Sequence, residues 1–130
     1  MTAQPEVTIL LVDDDLTVLS LLQVALARCG YQVIVASDAA EALQRHEAEQ
    51  GAIDLLITDM KMPKMSGTEL AERLRQRYPE LPIVFISGDP GAEDQLRDEG
   101  FSNSLFVQKP FVATDLIERL PSVLGSTTAF

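Results

Sequence analysis

The chain has 130 residues, 46% of them hydrophobic, and this length and composition predict one globular domain with one core. Twenty acidic residues stand against ten basic ones, and the resulting net charge of −10 argues against direct binding to nucleic acid. No apolar run approaches the ~20 residues that a membrane helix needs. The single cysteine, Cys29, cannot form an internal disulfide, so we expect a cytoplasmic setting.

Five short apolar runs are spaced along the chain and predict five β-strands. Several runs are apolar without alternation, which is typical of strands buried on both faces of a parallel sheet. We expect a single domain over residues 1–130, with a core of about 7–124 and tails at 1–6 and 125–130. The five predicted strands are Val7–Val12, Tyr31–Ala36, Ile53–Thr58, Pro82–Ser87 and Ser104–Gln108.

An amphipathic segment follows each run, and these segments predict five helices. Asp15 stands where the first helix needs an N-cap, and Ser66 with Glu69 forms a capping box for the third. Pro121 is expected to end or kink the last helix, and His46, without a partner, is expected on the surface. The predicted helices are Leu16–Cys29, Asp38–Gln50, Ser66–Tyr78, Pro90–Glu99 and Ala113–Leu120.

Strands alternating with helices predict an α/β fold. Right-handed connections would wind this (βα)5 chain into a doubly wound, five-stranded parallel sheet with helices on both faces. Ligands of such sheets bind outside the carboxyl ends of the strands, so the residues at those ends are the candidates for a site. They are Asp13, Asp14, Asp59, Ser87 and Lys109.

The acids at this edge indicate a metal site. Three carboxylates held close together would repel one another strongly unless a cation joined them. Oxygen ligands with no histidine or cysteine nearby favour a hard ion, and Mg²⁺ is the usual one beside phosphate chemistry. A lysine and a hydroxyl at the same edge complete a site for phosphoryl oxygens.

Four motifs follow one another along the chain: LLVDDD, ITDMKMPKMSG, VFISG and LFVQKPF. Each alone is a weak signal, but four in order at compatible spacing are specific. From about Val7 to Leu124 the chain resembles the receiver domains of two-component response regulators. The LFVQKPF segment is especially similar to the receivers of hybrid histidine kinases.

The resemblance implies a phosphoacceptor domain of a phosphorelay. A histidine kinase or a histidine phosphotransfer protein would supply the phosphoryl group, and a downstream effector protein or domain would receive the signal. Such a domain is not an enzyme beyond catalysing its own phosphorylation and dephosphorylation. A phosphorylation-dependent dimer is an open alternative.

The resemblance also assigns roles around the metal. Asp59 is the phosphoryl acceptor, and it contributes to the binding of Mg²⁺. Asp14 binds the ion directly, whereas Asp13 assists through a bound water. The backbone carbonyl oxygen of Lys61 supplies a further ligand.

The remaining roles concern the phosphoryl group and the response to it. By the resemblance, Lys109 pairs with a phosphoryl oxygen and precedes a cis peptide bond to Pro110. Ser87 donates a hydrogen bond to the phosphoryl group once it is present, and Phe106 is an aromatic switch. Asp89 and Lys61 should flank the pocket, and a pair between them would control access of hydrolytic water.

Two alternatives compete with this interpretation. The string DDDLT fits the D-x-D-x-T pattern of haloacid-dehalogenase-like phosphatases, with Asp13 as nucleophile and Asp15 as general acid. That pattern leaves Asp59 unexplained, and only Asp115 and Glu118 follow the lysine as acids, both on a predicted helix. A protein-interaction domain of the same fold that is not phosphorylated is the other alternative, and the complete set of acids, hydroxyl and lysine argues against it.

Overall fold

The computed structural model describes residues 7–101 and 104–124, and five strands alternate with five helices within them. The strands are β1 (Thr8–Val12), β2 (Gln32–Ala36), β3 (Leu55–Asp59), β4 (Ile83–Ser87) and β5 (Leu105–Gln108). The helices are α1 (Leu16–Arg28), α2 (Ala39–Ala48), α3 (Gly67–Arg77), α4 (Ala92–Asp98) and α5 (Ala113–Leu124). The predicted α/β order is confirmed, and the predicted tails, 1–6 and 125–130, lie outside the described residues.

The five strands form one parallel sheet in the order β2-β1-β3-β4-β5. The chain moves from β1 outward to β2, and then returns to place β3 on the other side of β1. The strand order therefore reverses between β1 and β3. In open sheets of this kind the crevice at such a reversal, outside the carboxyl ends of the strands, is where ligands bind.

The strands are apolar without alternation because each sheet face carries its own core. Within β1, Leu10 and Val12 belong to the core under α2, α3 and α4, whereas Ile9 and Leu11 belong to the core under α1 and α5. All four side chains are fully buried. The sheet is therefore doubly wound, as the sequence predicts.

Side-chain caps begin α1 and α3 where the sequence places them. A carboxylate oxygen of Asp15 accepts hydrogen bonds from the backbone N–H groups of Thr17 and Val18, at 2.9 and 3.3 Å. Ser66 and Glu69 form the predicted capping box at the start of α3. These bonds satisfy N–H groups that have no partner inside a helix.

The predicted end of the last helix is wrong, because α5 runs through Pro121 to Leu124. Leu124 extends the buried stripe that Leu116 and Leu120 make against the sheet. Burying one more leucine contributes about 1.5–3 kcal/mol, which offsets the backbone hydrogen bond that a proline cannot donate.

The predicted surface position of His46 is also wrong, because its side chain is only 5% exposed. His46 continues the inward stripe of α2 that begins with Ala39 and Ala42. Helical spacing turns it toward the core irrespective of its polarity. The fourth helix is shorter than predicted and begins two residues later, at Ala92.

In the part of the chain that the structure describes, no helix is both long enough and apolar enough to cross a membrane.

Candidate functional site

Three carboxylates meet at the carboxyl edge of the sheet. Asp13 and Asp14 follow β1, and Asp59 is the last residue of β3, the neighbouring strand. Carboxyl oxygens of the three lie within 4.8 Å of one another. Asp13 is 1% exposed and Asp59 is 7% exposed, whereas Asp14 faces solvent.

Lys109 is the cation beside these acids. Its Nζ lies 3.2 Å from Asp13 Oδ2 and 3.7 Å from Asp59 Oδ1. Its backbone N–H donates a hydrogen bond of 2.8 Å to the carbonyl oxygen of Ser87, which anchors the end of β5 to the end of β4. The predicted cis peptide bond between Lys109 and Pro110 is present.

One lysine does not neutralise three carboxylates, and the pKa values show the imbalance. Burial, then the negative charge of Asp13, raises the pKa of Asp59 to about 6. Burial also raises the pKa of Asp13, although a hydrogen bond from the Asp15 backbone and the charge of Lys109 oppose this. Burial lowers the pKa of Lys109, but the charges of Asp13 and Asp59 outweigh it, and the net shift is upward.

This cluster has the composition of a site for a hard divalent cation. Its oxygens are close enough to share one ion, and a cation among them would relieve the repulsion that raises the pKa of Asp59. The cluster therefore fits the predicted metal. The role of the Lys61 carbonyl oxygen as a further ligand stays a prediction.

Ser87 and the predicted pair of Lys61 and Asp89 border the acids on the β4 side. The Ser87 hydroxyl is 3% exposed and accepts a 3.0 Å hydrogen bond from the backbone N–H of Asp89. Lys61 Nζ lies 2.8 Å from Asp89 Oδ2, so the pair is formed. That this pair controls the lifetime of a phosphoryl group stays a prediction.

A comparison with protein families identifies the family of the chain. The model of the response regulator receiver domain matches residues 9–121. The chain belongs to the receiver domain family. It is thus a phosphoacceptor receiver domain of two-component signalling, as the motifs predict.

Relatives of this receiver domain include both longer and single-domain proteins. It is 34% identical over 116 residues to the alkaline phosphatase synthesis transcriptional regulatory protein PhoP of Bacillus subtilis, covering 89% of this chain and 48% of PhoP. It is 32% identical over 121 residues to the chemotaxis protein CheY1 of Helicobacter pylori, covering 91% of this chain and 97% of CheY1. The receiver domain thus spans about half of the one relative and nearly all of the other.

Solved structures agree with the family. A response regulator receiver protein from Sinorhizobium medicae superposes with a TM-score of 0.84 at 30% identity, covering 95% of this chain and 98% of that one. The receiver domain of the hybrid histidine kinase CckA superposes with a TM-score of 0.75 at 35% identity, covering 90% and 98%. The fold is therefore that of receivers.

The geometry gives the phosphatase alternative no support. Asp15, its general acid, uses its carboxylate to cap α1, and its backbone N–H donates to Asp13 Oδ1 at 2.9 Å. The D-x-D-x-T match therefore combines a buried acid with a capping residue.

Phe106 lies on β5 and is half-buried. Its partner in the strand register is Phe85 on the neighbouring strand β4, and its side chain packs against the core under α2, α3 and α4. It also borders a cavity of about 210 Å³ next to α4, with Leu96 and Phe101 among the lining residues. Space thus exists beside the ring, and its role as a switch stays a prediction.

Gly67 supports the acceptor strand, and sequence reasoning missed it. It is the first residue of α3, and its N–H donates to the carbonyl oxygen of Met60 at 2.9 Å. A Cβ at this position would lie 2.0 Å from the backbone oxygen of Asp59. The signal in the sequence is the glycine that ends the motif ITDMKMPKMSG, a motif that predicts the family and the capping box but not this contact.

Proposed function

We propose that Asp59 accepts a phosphoryl group from a phosphohistidine. The observation that carries this assignment is the position of its carboxylate, buried at the reversal point of the sheet between two further acids and one lysine. The carboxylate of Asp59 lies near Asp13, Asp14 and Lys109. The carboxylate of Asp13, by contrast, already accepts hydrogen bonds from Lys109 and from the backbone N–H of Asp15. A cytoplasmic location belongs to the same proposal, because histidine kinases draw their phosphoryl group from ATP.

The transfer is a displacement at phosphorus. A carboxylate oxygen of Asp59 forms the new O–P bond while the N–P bond of the phosphohistidine breaks and its electron pair returns to the imidazole. The ammonium of Lys109 lies where it can compensate a phosphoryl oxygen. Asp13, Asp14, Asp59 and the Lys61 carbonyl oxygen would hold Mg²⁺, which would supply charge neutralisation when bound. The domain acts as a catalyst only on itself.

The response begins at Ser87. Its hydroxyl accepts a bond from Asp89 and has its own proton available for a phosphoryl oxygen. A charge-assisted hydrogen bond of this kind is worth about 1.5–3 kcal/mol, enough to shift a loop whose two states differ by that amount. Inward movement of Ser87 opens space that Phe106 enters, which alters the surface of α4, β5 and α5.

The first experiment is incubation with acetyl phosphate and Mg²⁺, followed by intact mass measurement. We expect one phosphoryl adduct on the wild-type chain and none on Asp59→Asn. The matched control is Asp15→Asn, which keeps the adduct because Asp15 only caps α1. An adduct that survives in Asp59→Asn, or one that disappears in Asp15→Asn, contradicts the assignment.

An apolar surface on α1 supports a protein as phosphoryl donor. The large hydrophobic side chains Leu16, Leu21 and Val24 are 66%, 59% and 52% exposed, and Val112 beside α5 is 59% exposed. In a chain with a net charge of −10, α1 carries one charged residue, Arg28. Exposed apolar clusters of this kind mark protein interaction sites.

The α1 surface is continuous with the acceptor site. A groove beside α1 is lined by Val18, Leu21 and Leu22 and extends to Lys109, which contacts Asp59. A donor seated on α1 therefore brings its phosphohistidine to the acids without crossing the sheet. The likeness to the CckA receiver supports a donor of the histidine kinase or phosphotransfer class, and the output partner is an effector protein rather than nucleic acid, because the chain is acidic.

The donor proposal is tested with Leu21→Asp. A charge in the apolar contact should slow phosphotransfer from a histidine kinase that labels the wild-type chain by about tenfold or more. Labelling by acetyl phosphate should be unchanged, because the small donor needs no docking surface. Gln76→Asp places the same charge on the exposed face of α3 and should leave both rates unchanged. Equal slowing by the two variants would show that net charge, not the α1 surface, sets the rate.

A further inference from the structure

His46 is a buried histidine with an unpaired ring nitrogen. Its side chain is 5% exposed, and its Nε2 has no hydrogen-bond partner among the described residues. The ring of Tyr78 lies 5.0 Å from the His46 ring, centroid to centroid, at an angle of 52°. His46 lies on α2, away from the acids at the carboxyl edge of the sheet, and the phosphorylation chemistry does not use it.

The contact joins the C-terminal ends of two helices. Tyr78 is the C-cap of α3, and Gly51 follows the C-terminal end of α2 with a φ of +83°. A Cβ on Gly51 would lie 2.4 Å from the Tyr78 hydroxyl oxygen, so the Tyr78 ring sits directly on the backbone there. A cavity of about 300 Å³ opens beside the His46 ring and is lined by His46, Glu47, Gln50, Gly51, Arg77 and Tyr78.

The charges around His46 disfavour its protonated form. Burial, then the charge of Arg77 on α3, lowers the pKa of His46. Glu47 carries the opposite charge but is exposed to solvent, and β1 and β2, which pack on the other side of α2, contain no acidic or basic residue. The carbonyl groups at the end of α2 favour a cation, but none of the residues that the structure describes forms a hydrogen bond with Nε2.

We propose that the His46–Tyr78 contact is sensitive to protonation. It holds α2 and α3 together while the imidazole is neutral, and it opens when the imidazole takes up a proton. A protonated ring would place a charged N–H donor in a buried site where Nε2 has no hydrogen-bond partner in the described part of the chain, and this is costly. The adjoining cavity gives the charged ring a path to water. Since α3 packs on the Asp59 backbone at its other end, opening loosens the helix that supports the acceptor.

The pH dependence has a definite sign. Because the folded-state pKa of His46 lies below its ordinary value, the unfolded chain takes up the proton first as the pH falls. The stability due to this contact is therefore complete above the ordinary pKa of 6.5 and declines as the pH falls below it. Titration of Asp59 changes the stability of the fold in the opposite direction over the same pH range, because the pKa of Asp59 is raised to about 6.

The first test uses the fact that His46 is the only histidine in the sequence. In an Asp59→Asn background, which removes the opposing titration, we expect the His46 Cε1–H resonance to titrate with a midpoint shifted below that of an unfolded histidine. The Tyr78 ring and Gly51 amide resonances should move with the same midpoint, whereas the Gly30 amide, after α1 on the other sheet face, should not. A His46 midpoint at or above the unfolded value overturns the proposal.

The second test compares urea denaturation midpoints of Asp59→Asn with and without His46→Gln between pH 7.5 and pH 5. We expect a loss in midpoint on acidification that is reduced in the His46→Gln protein. Identical losses in both proteins overturn the proposal. Should His46→Gln fail to fold, the NMR titration decides alone, because it needs only the histidine-containing protein.

Discussion

Gly67→Ala should be strongly destabilising, although it adds a single methyl group. The new Cβ would lie 2.0 Å from the backbone oxygen of Asp59 and 3.0 Å from Thr58 Oγ1, and both residues belong to β3, which pairs with β1 and β4. Neither the strand nor the capped start of α3 can shift without breaking hydrogen bonds. We expect a loss of about 3 kcal/mol or more, observed as a decrease of about 10 °C in Tm.

The matched control is Gly88→Ala, the same substitution at the end of the neighbouring strand β4. The nearest atom to its added Cβ is Lys109 Cβ at 3.8 Å, an ordinary contact. We therefore expect a Tm within about 3 °C of wild type. If the two variants had the same Tm, α3 would be free to move away from β3, and its role in fixing the Asp59 backbone would be wrong.

The fold was predictable because its strongest sequence signals depend on local periodicity. Residues Ile9 to Val12 read as an uninterrupted apolar run because alternate side chains enter two different cores. Caps such as Asp15 and Ser66 act within three residues of themselves, so they are visible without coordinates. The same logic failed at Pro121, where packing of Leu124 outweighs a local helix-breaking tendency.

The site was predictable as a set of positions but not as a geometry. Parallel strands bring their carboxyl ends to one edge, so Asp13, Asp59 and Lys109 had to be near one another. Lys109 Nζ lies near the carboxylates of both Asp13 and Asp59. This arrangement depends on side-chain conformation and packing, which the periodicity of the sequence does not predict. His46 shares the helical spacing of Ala39 and Ala42, but its contact with Tyr78, 32 residues further along the chain, is one that no local pattern reports.

Asp59→Asn should make the metal-free protein more stable at pH 7.5. Ionising Asp59 in the folded state places a negative charge beside Asp13, and among the described residues it is Lys109 that compensates the charge. Its pKa rises from 3.8 to about 6, and a difference of that size corresponds to about 3 kcal/mol between the folded and unfolded states. Asparagine has the same shape and no charge, so we expect a gain of about 2–3 kcal/mol in urea denaturation.

The gain should depend on pH in a way that identifies the carboxylate. Because the folded-state pKa of Asp59 is raised, the wild-type protein loses stability as the pH rises from about 4 to about 6, and the loss is complete above that. The difference between Asp59→Asn and wild type should therefore be largest near pH 7.5 and vanish below pH 4. Glu72→Gln, which neutralises an exposed carboxylate in the middle of α3, should change stability by less than about 0.5 kcal/mol at every pH.

Addition of Mg²⁺ separates charge repulsion from other effects of the substitution. A cation bound among the three carboxylates stabilises the wild-type native state, so the advantage of Asp59→Asn should shrink as the Mg²⁺ concentration rises. If the advantage were unchanged by Mg²⁺, the ion would not bind at these acids. If Asp59→Asn were less stable than wild type in metal-free buffer at pH 7.5, the carboxylate would contribute to folding, and the repulsion inferred from its burial beside Asp13 would be wrong.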